Sequence, residues 1–342
     1  MARSSRSMFN LDDVVPLQAV LDLVEFRNQL DQLCRSQWGW GGLEEALVQI
    51  LRWHRRKRCT FAVALRTESG WHDLIGKVYV TDRPDVYELM TRAWQAGFDA
   101  NAEFSIPQAL AHLPALRLRF EEYVQGRSAK DIFLEGSPAE QFAAAERCGE
   151  WLARFHTSAP RLGKVAETSE VLPHIRWWRD FLASFGEPLA GKSELLLEKL
   201  EAAASALGPI EFCTGHGSYL PEHVFPTPDR TVTIDLDDYD LGDPARDVAW
   251  FVVGLERRAL KNLGSHHALD SAVEAFCETY ASSGPREVMA RLPFWKAVQY
   301  LRGARNDAKS KPPQWREMAE AMLDEALGSL NLSVVGQSQG SL

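Results

Sequence analysis

Apolar and polar residues along this chain change their period near residue 44 and again near residue 125, dividing it into a helical opening, a strand-forming part and a long helical part. Residues 14–36 place apolar positions at helical spacing and predict one or two amphipathic helices, which the run Gln37-Trp38-Gly39-Trp40-Gly41-Gly42 ends. From about 44 to 124 the pattern is strand-like. Residues 59–65 are apolar and partly alternating, Glu68-Ser69-Gly70 signals a turn, and residues 73–80 predict a second strand. Pro84 opens a helical stretch through about Ala96. Residues 116–123 predict another strand, broken at Val124-Gln125-Gly126-Arg127-Ser128.

Beyond that break the period is helical. Ser137 can cap free amides, Pro138 suits a first turn, and Glu140 stands three residues after the cap. Phe142, Ala145, Cys148, Leu152 and Phe155 then predict one buried stripe. Further helices are expected over 193–206, 244–262, 268–282, 286–305 and 312–330, with 331–342 as a frayed tail. The implied organisation is an N-terminal helical extension (1–43), a β-rich lobe (44–124), a helical lobe (125–330) and a flexible tail (331–342), an α+β chain.

Composition narrows the function classes. The 342 residues are 45% apolar and 25% charged, as in ordinary globular proteins. The five cysteines are scattered without CxxC spacing, which points to a reducing cytoplasm rather than a disulfide framework. No apolar run approaches the roughly 20 residues of a membrane span, and residues 1–15 have no apolar leader core, so neither membrane nor secretion is expected. A net charge of −9 argues against nucleic acid and is compatible with a cationic small molecule.

The candidate chemistry is concentrated in residues 213–247. A loop opens on His216-Gly217-Ser218, a short apolar strand ends at Ile234-Asp235, and Gly242-Asp243-Pro244 leads to Asp247. Asp235 closes that strand, with Asp237 and Asp238 within three residues, a cluster that calls for a metal ion or a nearby base. Cys213 and His223 near Asp235 also offer zinc-type donors.

This order resembles the catalytic core of the aminoglycoside phosphotransferase and choline kinase families. Those families read H-G-D-x-x-x-x-N, then I-D-(F/W)-(D/E), then G-D-P-x-x-D. Ser218 stands here at the first aspartate and His223 at the asparagine. The resemblance, spread over about residues 45–330, implies a two-lobed protein-kinase-like fold and ATP-dependent phosphate transfer to a small-molecule hydroxyl, with Mg2+. It assigns Asp235, with Asp237 close by, to the metal, and Lys77 to the nucleotide phosphates with Glu88 as its ion-pair partner. Arg55 and Arg56, in a basic loop, would grip phosphate where many kinases use glycine amides. Tyr123 falls in the 121–126 segment that resembles the adenine-binding hinge. His216, Asp243 and Asp247 are expected to brace the loop rather than react.

The two exchanged positions change the expected chemistry. Serine is a poor base at neutral pH, and loss of a general base lowers rates by roughly 10² to 10⁴. Histidine offers nitrogen to the metal in place of amide oxygen, or, if protonated, a contact to phosphate. Glu222, in the same loop, is a candidate replacement carboxylate. Two outcomes therefore stay open: a phosphotransferase with a remodelled site, or a pseudokinase that binds a ligand or partner. Nucleotidyl transfer in the same cleft is a third. On the acceptor side, Trp177 and Trp178 with Arg176, Arg179 and Asp180 could wall a pocket or belong to the core.

Overall fold

The computed structural model describes residues 23–54 and 57–337. In chain order, helix α1 (Leu23–Ser36) precedes strands β1 (Leu43–His54), β2 (Arg58–Thr67) and β3 (Gly70–Tyr79). Helix α2 (Pro84–Gln95) and strands β4 (Phe104–Ser105), β5 (Ala109–Leu113) and β6 (Leu118–Glu122) follow. Next come α3 (Ala129–Glu135), α4 (Pro138–Ser158), β7 (Val165–Ala166), α5 (Leu172–Ala183), α6 (Leu189–Ala206) and β8 (Cys213–Gly215). The chain continues through β9 (Val224–Pro226), β10 (Thr231–Thr233) and β11 (Asp240–Gly242) to α7 (Ala245–Leu263), α8 (Asp270–Ser283), α9 (Val288–Ser310) and α10 (Trp315–Gln337). It divides into two compact units, residues 1–100 with 106–125 and residues 101–105 with 126–342.

The first unit is an antiparallel sheet in the order β1-β2-β3-β6-β5. Period-two alternation sends Phe61, Val63 and Leu65 of β2 to the same face as Val78 of β3 and Phe120 of β6. Helix α1 covers that face, with the Phe26 ring 6.3 Å from Phe61 and 6.2 Å from Phe120. Gly76 lies opposite Phe61, and a Cβ there would sit 2.3 Å from the Phe61 ring, so the aromatic core requires glycine at this strand position. The alternation then places Lys77, Arg119 and Glu121 together on the other face.

The second unit is mainly helical. Helix α4 starts with the capping box expected for it. The Ser137 hydroxyl accepts from the Glu140 amide at 3.4 Å, and the Glu140 carboxylate accepts from the Ser137 amide at 2.8 Å. Of the predicted stripe, Ala145, Cys148, Leu152 and Phe155 are buried, whereas Phe142 is 50% exposed. Phe142 is the fifth residue of α4, and α8 approaches two turns later: a Cβ on Gly149 would stand 2.7 Å from the Phe276 carbonyl oxygen. Residues 331–337, read from sequence as tail, continue α10. Residues 1–22, 338–342, Arg55 and Arg56 lie outside the described residues. Among the described residues, no helix is long and apolar enough to cross a membrane.

Candidate functional site

Two nested antiparallel pairings build the site in the second unit. Inside, β9 and β10 pair with Val224 opposite Thr233, so His223 and Ile234 meet just beyond the ladder, where the Ile234 amide donates to the His223 carbonyl at 2.9 Å. Outside, β8 and β11 pair with Gly215 opposite Asp240. The loop 216–223 therefore runs beside residues 234–239. Gly217 has φ +78°, and a Cβ there would fall 1.8 Å from the Asp238 carbonyl oxygen, so only glycine fits this crossing.

Buried Asp247, in the first turn of α7, holds the loop. Its carboxylate accepts from the His216 amide at 2.6 Å and the Gly217 amide at 2.9 Å, and meets His156 Nε2 of α4 at 3.2 Å. Burial raises the Asp247 pKa, but the hydrogen bond and charge of His156, with His216 and Arg246, outweigh it and hold the carboxyl below its ordinary value. Asp243 is tied in the same way, accepting from Arg291 Nε at 2.7 Å, Trp295 Nε1 at 2.7 Å and the Ala245 amide at 2.9 Å. His216 is buried, and its Nε2 donates to the Ile234 carbonyl at 3.0 Å. Asp247 and His216 are joined to the backbone of the two loops, and Asp243 ties the start of α7 to α9, which suits bracing rather than reaction.

The residues expected to carry the chemistry separate into two groups. His223 and Asp235 come together, with Nε2 and Oδ2 3.7 Å apart. His223 Nδ1 donates to the Ser218 carbonyl at 3.0 Å, and its ring stacks on His216 at 5.6 Å between centroids. Burial, only partly offset by the charge of Asp235, lowers the His223 pKa to about 4. The ring is therefore neutral at physiological pH, and the imidazolium contact to phosphate considered from sequence is disfavoured. Asp235 adopts a left-handed backbone (φ 67°, ψ 49°), rare for a residue with a side chain and a form of strain that gathers at functional sites. Asp237 is buried in the short turn that follows.

Ser218 and Glu222 do not supply a poised base. Ser218 is half-buried, and Glu222 is paired with Arg258 of α7, which also donates to the Gly254 carbonyl at 2.5 Å. The zinc-type set is not assembled either. Cys213 lies buried in β8 with its thiol pushed up by burial, and no group of three or more His, Cys, Asp or Glu among the described residues is placed to hold a metal.

In the first unit, Lys77 is buried on β3, and its Nζ lies 3.1 Å from Glu121 on β6. Arg119 Nη2 shares that carboxylate at 2.8 Å. The expected partner, Glu88, is half-exposed on α2 and pairs with Arg92 at 2.7 Å. Helix period puts Glu88 and Arg92 on one face, whereas strand register delivers Glu121 to Lys77. Replacing Glu121 with glutamine is expected to destabilise the protein by about 3 kcal/mol, because it leaves buried cations without their carboxylate. Urea unfolding measures this, and a loss below about 1 kcal/mol would show the pair to be incidental. Tyr123 is exposed directly after β6. Trp177 is exposed on α5, with Arg305 of α9 4.5 Å above its ring.

His156, Arg258, Arg291 and Trp295 were not legible as site residues, since His156, Arg291 and Trp295 reach Asp247 and Asp243 from other helices and Arg258 meets Glu222 from the later turns of α7. Glu121 carries a local signal, since it alternates with Arg119 along one strand.

The donor set fits a divalent cation in part. The Asp235 carboxylate and His223 Nε2 offer one hard oxygen and one nitrogen side by side.

Comparisons agree with this geometry. The sequence profile described as the phosphotransferase enzyme family matches residues 61–295. Among solved structures, a choline/ethanolamine kinase family protein from Mesorhizobium loti is similar at TM-score 0.57 and 17% identity, over 89% of this chain and 94% of its own. Choline kinase from Cryptosporidium parvum Iowa II gives TM-score 0.59 and 12% identity, over 91% and 97%. An amicoumacin kinase solved with AMP-PNP and Ca2+ gives TM-score 0.56 and 11% identity, over 81% and 88%. At these identities the likeness speaks for the protein-kinase-like fold, with its small antiparallel-sheet lobe and larger helical lobe. No curated protein matches the chain. Because the matched stretch runs from β2 into α9 and takes in Lys77, the braced loop and Asp235, the chain belongs to the phosphotransferase enzyme family.

Proposed function

We propose that this protein transfers the terminal phosphate of ATP to a hydroxyl of a small molecule, in the cytoplasm, at a site that lacks the usual carboxylate base. The observation that carries this reading is the Asp247 brace, which holds the His216-Gly217 amides and so fixes the loop beside Asp235. Such bracing suits a reaction that depends on positioning and charge neutralisation more than on covalent chemistry. Asp235 and His223 would hold a divalent cation, which would neutralise charge on phosphate oxygens. Lys77, held by Glu121 at 3.1 Å, is the residue for nucleotide phosphate. Ser218 can hydrogen-bond an acceptor hydroxyl without taking its proton, so turnover should be slow. The net charge of −9 favours an acceptor that carries positive charge.

One observation favours a second reading, a binding module without turnover: Glu222, the loop's own carboxylate, is committed to Arg258. Assay with γ-labelled ATP, a divalent cation and a panel of amino and hydroxyl acceptors separates the two. An enzyme should show acceptor-dependent phosphate transfer that Asp235→Ala lowers by about 10³ or more, in line with the loss of a group that stabilises transition-state charge. Binding of an ATP analogue with no labelled product from any acceptor would favour the module.

A further inference from the structure

The His223–Asp235 pair differs chemically from an all-oxygen magnesium site. Nε2 and Oδ2 stand 3.7 Å apart, too far for a hydrogen bond. Two ligands of one tetrahedral ion, each about 2.1 Å from it, lie about 3.4 Å apart. The other ring nitrogen, Nδ1, donates to the Ser218 carbonyl at 3.0 Å. That bond fixes the tautomer with its lone pair on Nε2, on the side of Asp235, and a backbone carbonyl in this role is the usual outer partner of a metal-binding imidazole. Stacking on His216 restrains the ring, and His216 is itself tied to the Ile234 carbonyl at 3.0 Å. The left-handed backbone of Asp235 sets the carboxylate from the other side.

We infer that this pair selects a divalent transition ion of the manganese-to-zinc class over magnesium. The inference rests on reading the loop as the nucleotide-metal site, and it adds the identity of the ion. Magnesium demands near-octahedral oxygen and dehydrates reluctantly, whereas imidazole nitrogen suits later divalent ions. With two protein donors, the ion's remaining positions are left to water and phosphate oxygens.

The test titrates untagged, metal-stripped full-length protein with MnCl2, ZnCl2 and MgCl2, with and without AMP-PNP, by calorimetry and by loss of the free Mn2+ paramagnetic signal. Wild type should prefer Mn2+ and Zn2+ to Mg2+, and His223→Asn should reduce that preference on the order of tenfold or more. His223→Gln should do the same. Thermal melting of both variants checks their fold. An unchanged preference in a folded variant overturns the inference, as does a wild type that favours Mg2+. If neither variant folds, Co2+-loaded wild type decides: a hyperfine-shifted exchangeable imidazole N–H resonance supports nitrogen ligation, and its absence overturns it. If no ion promotes AMP-PNP binding, the phosphotransferase reading fails, while the ion titrations alone still decide this one.

Discussion

Asp247→Ala should destabilise the protein by about 5 kcal/mol, a large share of a typical folding free energy. The carboxylate is buried and accepts from two backbone amides, at 2.6 and 2.9 Å, besides meeting His156 at 3.2 Å. Alanine leaves those donors buried without an acceptor, and each orphaned donor costs about 1–3 kcal/mol. A cavity filled by water would recover part of this, so urea unfolding followed by tryptophan fluorescence is the deciding measurement. A change under about 1 kcal/mol would mean that the loop holds its shape without the brace. The effect should also depend on pH with a definite sign. The folded pKa lies below the ordinary 3.8, so the Asp247 contribution is complete above about pH 3.8 and is lost as pH falls through the folded value. The gap between wild type and variant should therefore narrow as pH falls below about 3.8.

Ser218→Asp should raise phosphate transfer by roughly 10² to 10⁴, the usual contribution of a general base. The His223 bond at this position goes to the Ser218 backbone carbonyl, so a new side chain leaves that contact in place. The added carboxylate stands in the same loop system as Asp235 and Asp237, and like charges there repel. The variant should be less stable in metal-free buffer and recover with a divalent cation. Turnover measured with γ-labelled ATP and an accepted hydroxyl compound tests the rate. No gain in a folded, nucleotide-binding variant would show that proton removal does not limit this protein, or that it performs no transfer.

The capping box at Ser137-Pro138-Ala139-Glu140, the start of α2 at Pro84 and the β2–β3 hairpin around Glu68-Ser69-Gly70 were legible because each is decided within a few residues. The His216–Asp247 order was legible through its resemblance to the phosphotransferase motif, which is written in the covalent spacing of residues 213–247. The partner of Lys77 is not legible in the sequence, because helix-borne Glu88 and strand-borne Glu121 both suit it and only strand register chooses. Phe142 keeps the period of its stripe yet stays exposed, since period gives a face but not how far the neighbouring helix extends along it.

The sequence by itself determined the alternation of strands and helices and the order of His216, Asp235, Asp243 and Asp247 along the chain, all carried by short-range periodicity and covalent order. The tertiary structure decided which charges meet. His156 reaches Asp247 across 91 residues, Arg258 takes up Glu222 across 36, and Arg291 reaches Asp243 across 48. A buried charge is stable only with a partner brought by packing, and the choice among dozens of arginines, lysines, aspartates and glutamates is settled by which helices and strands come into contact.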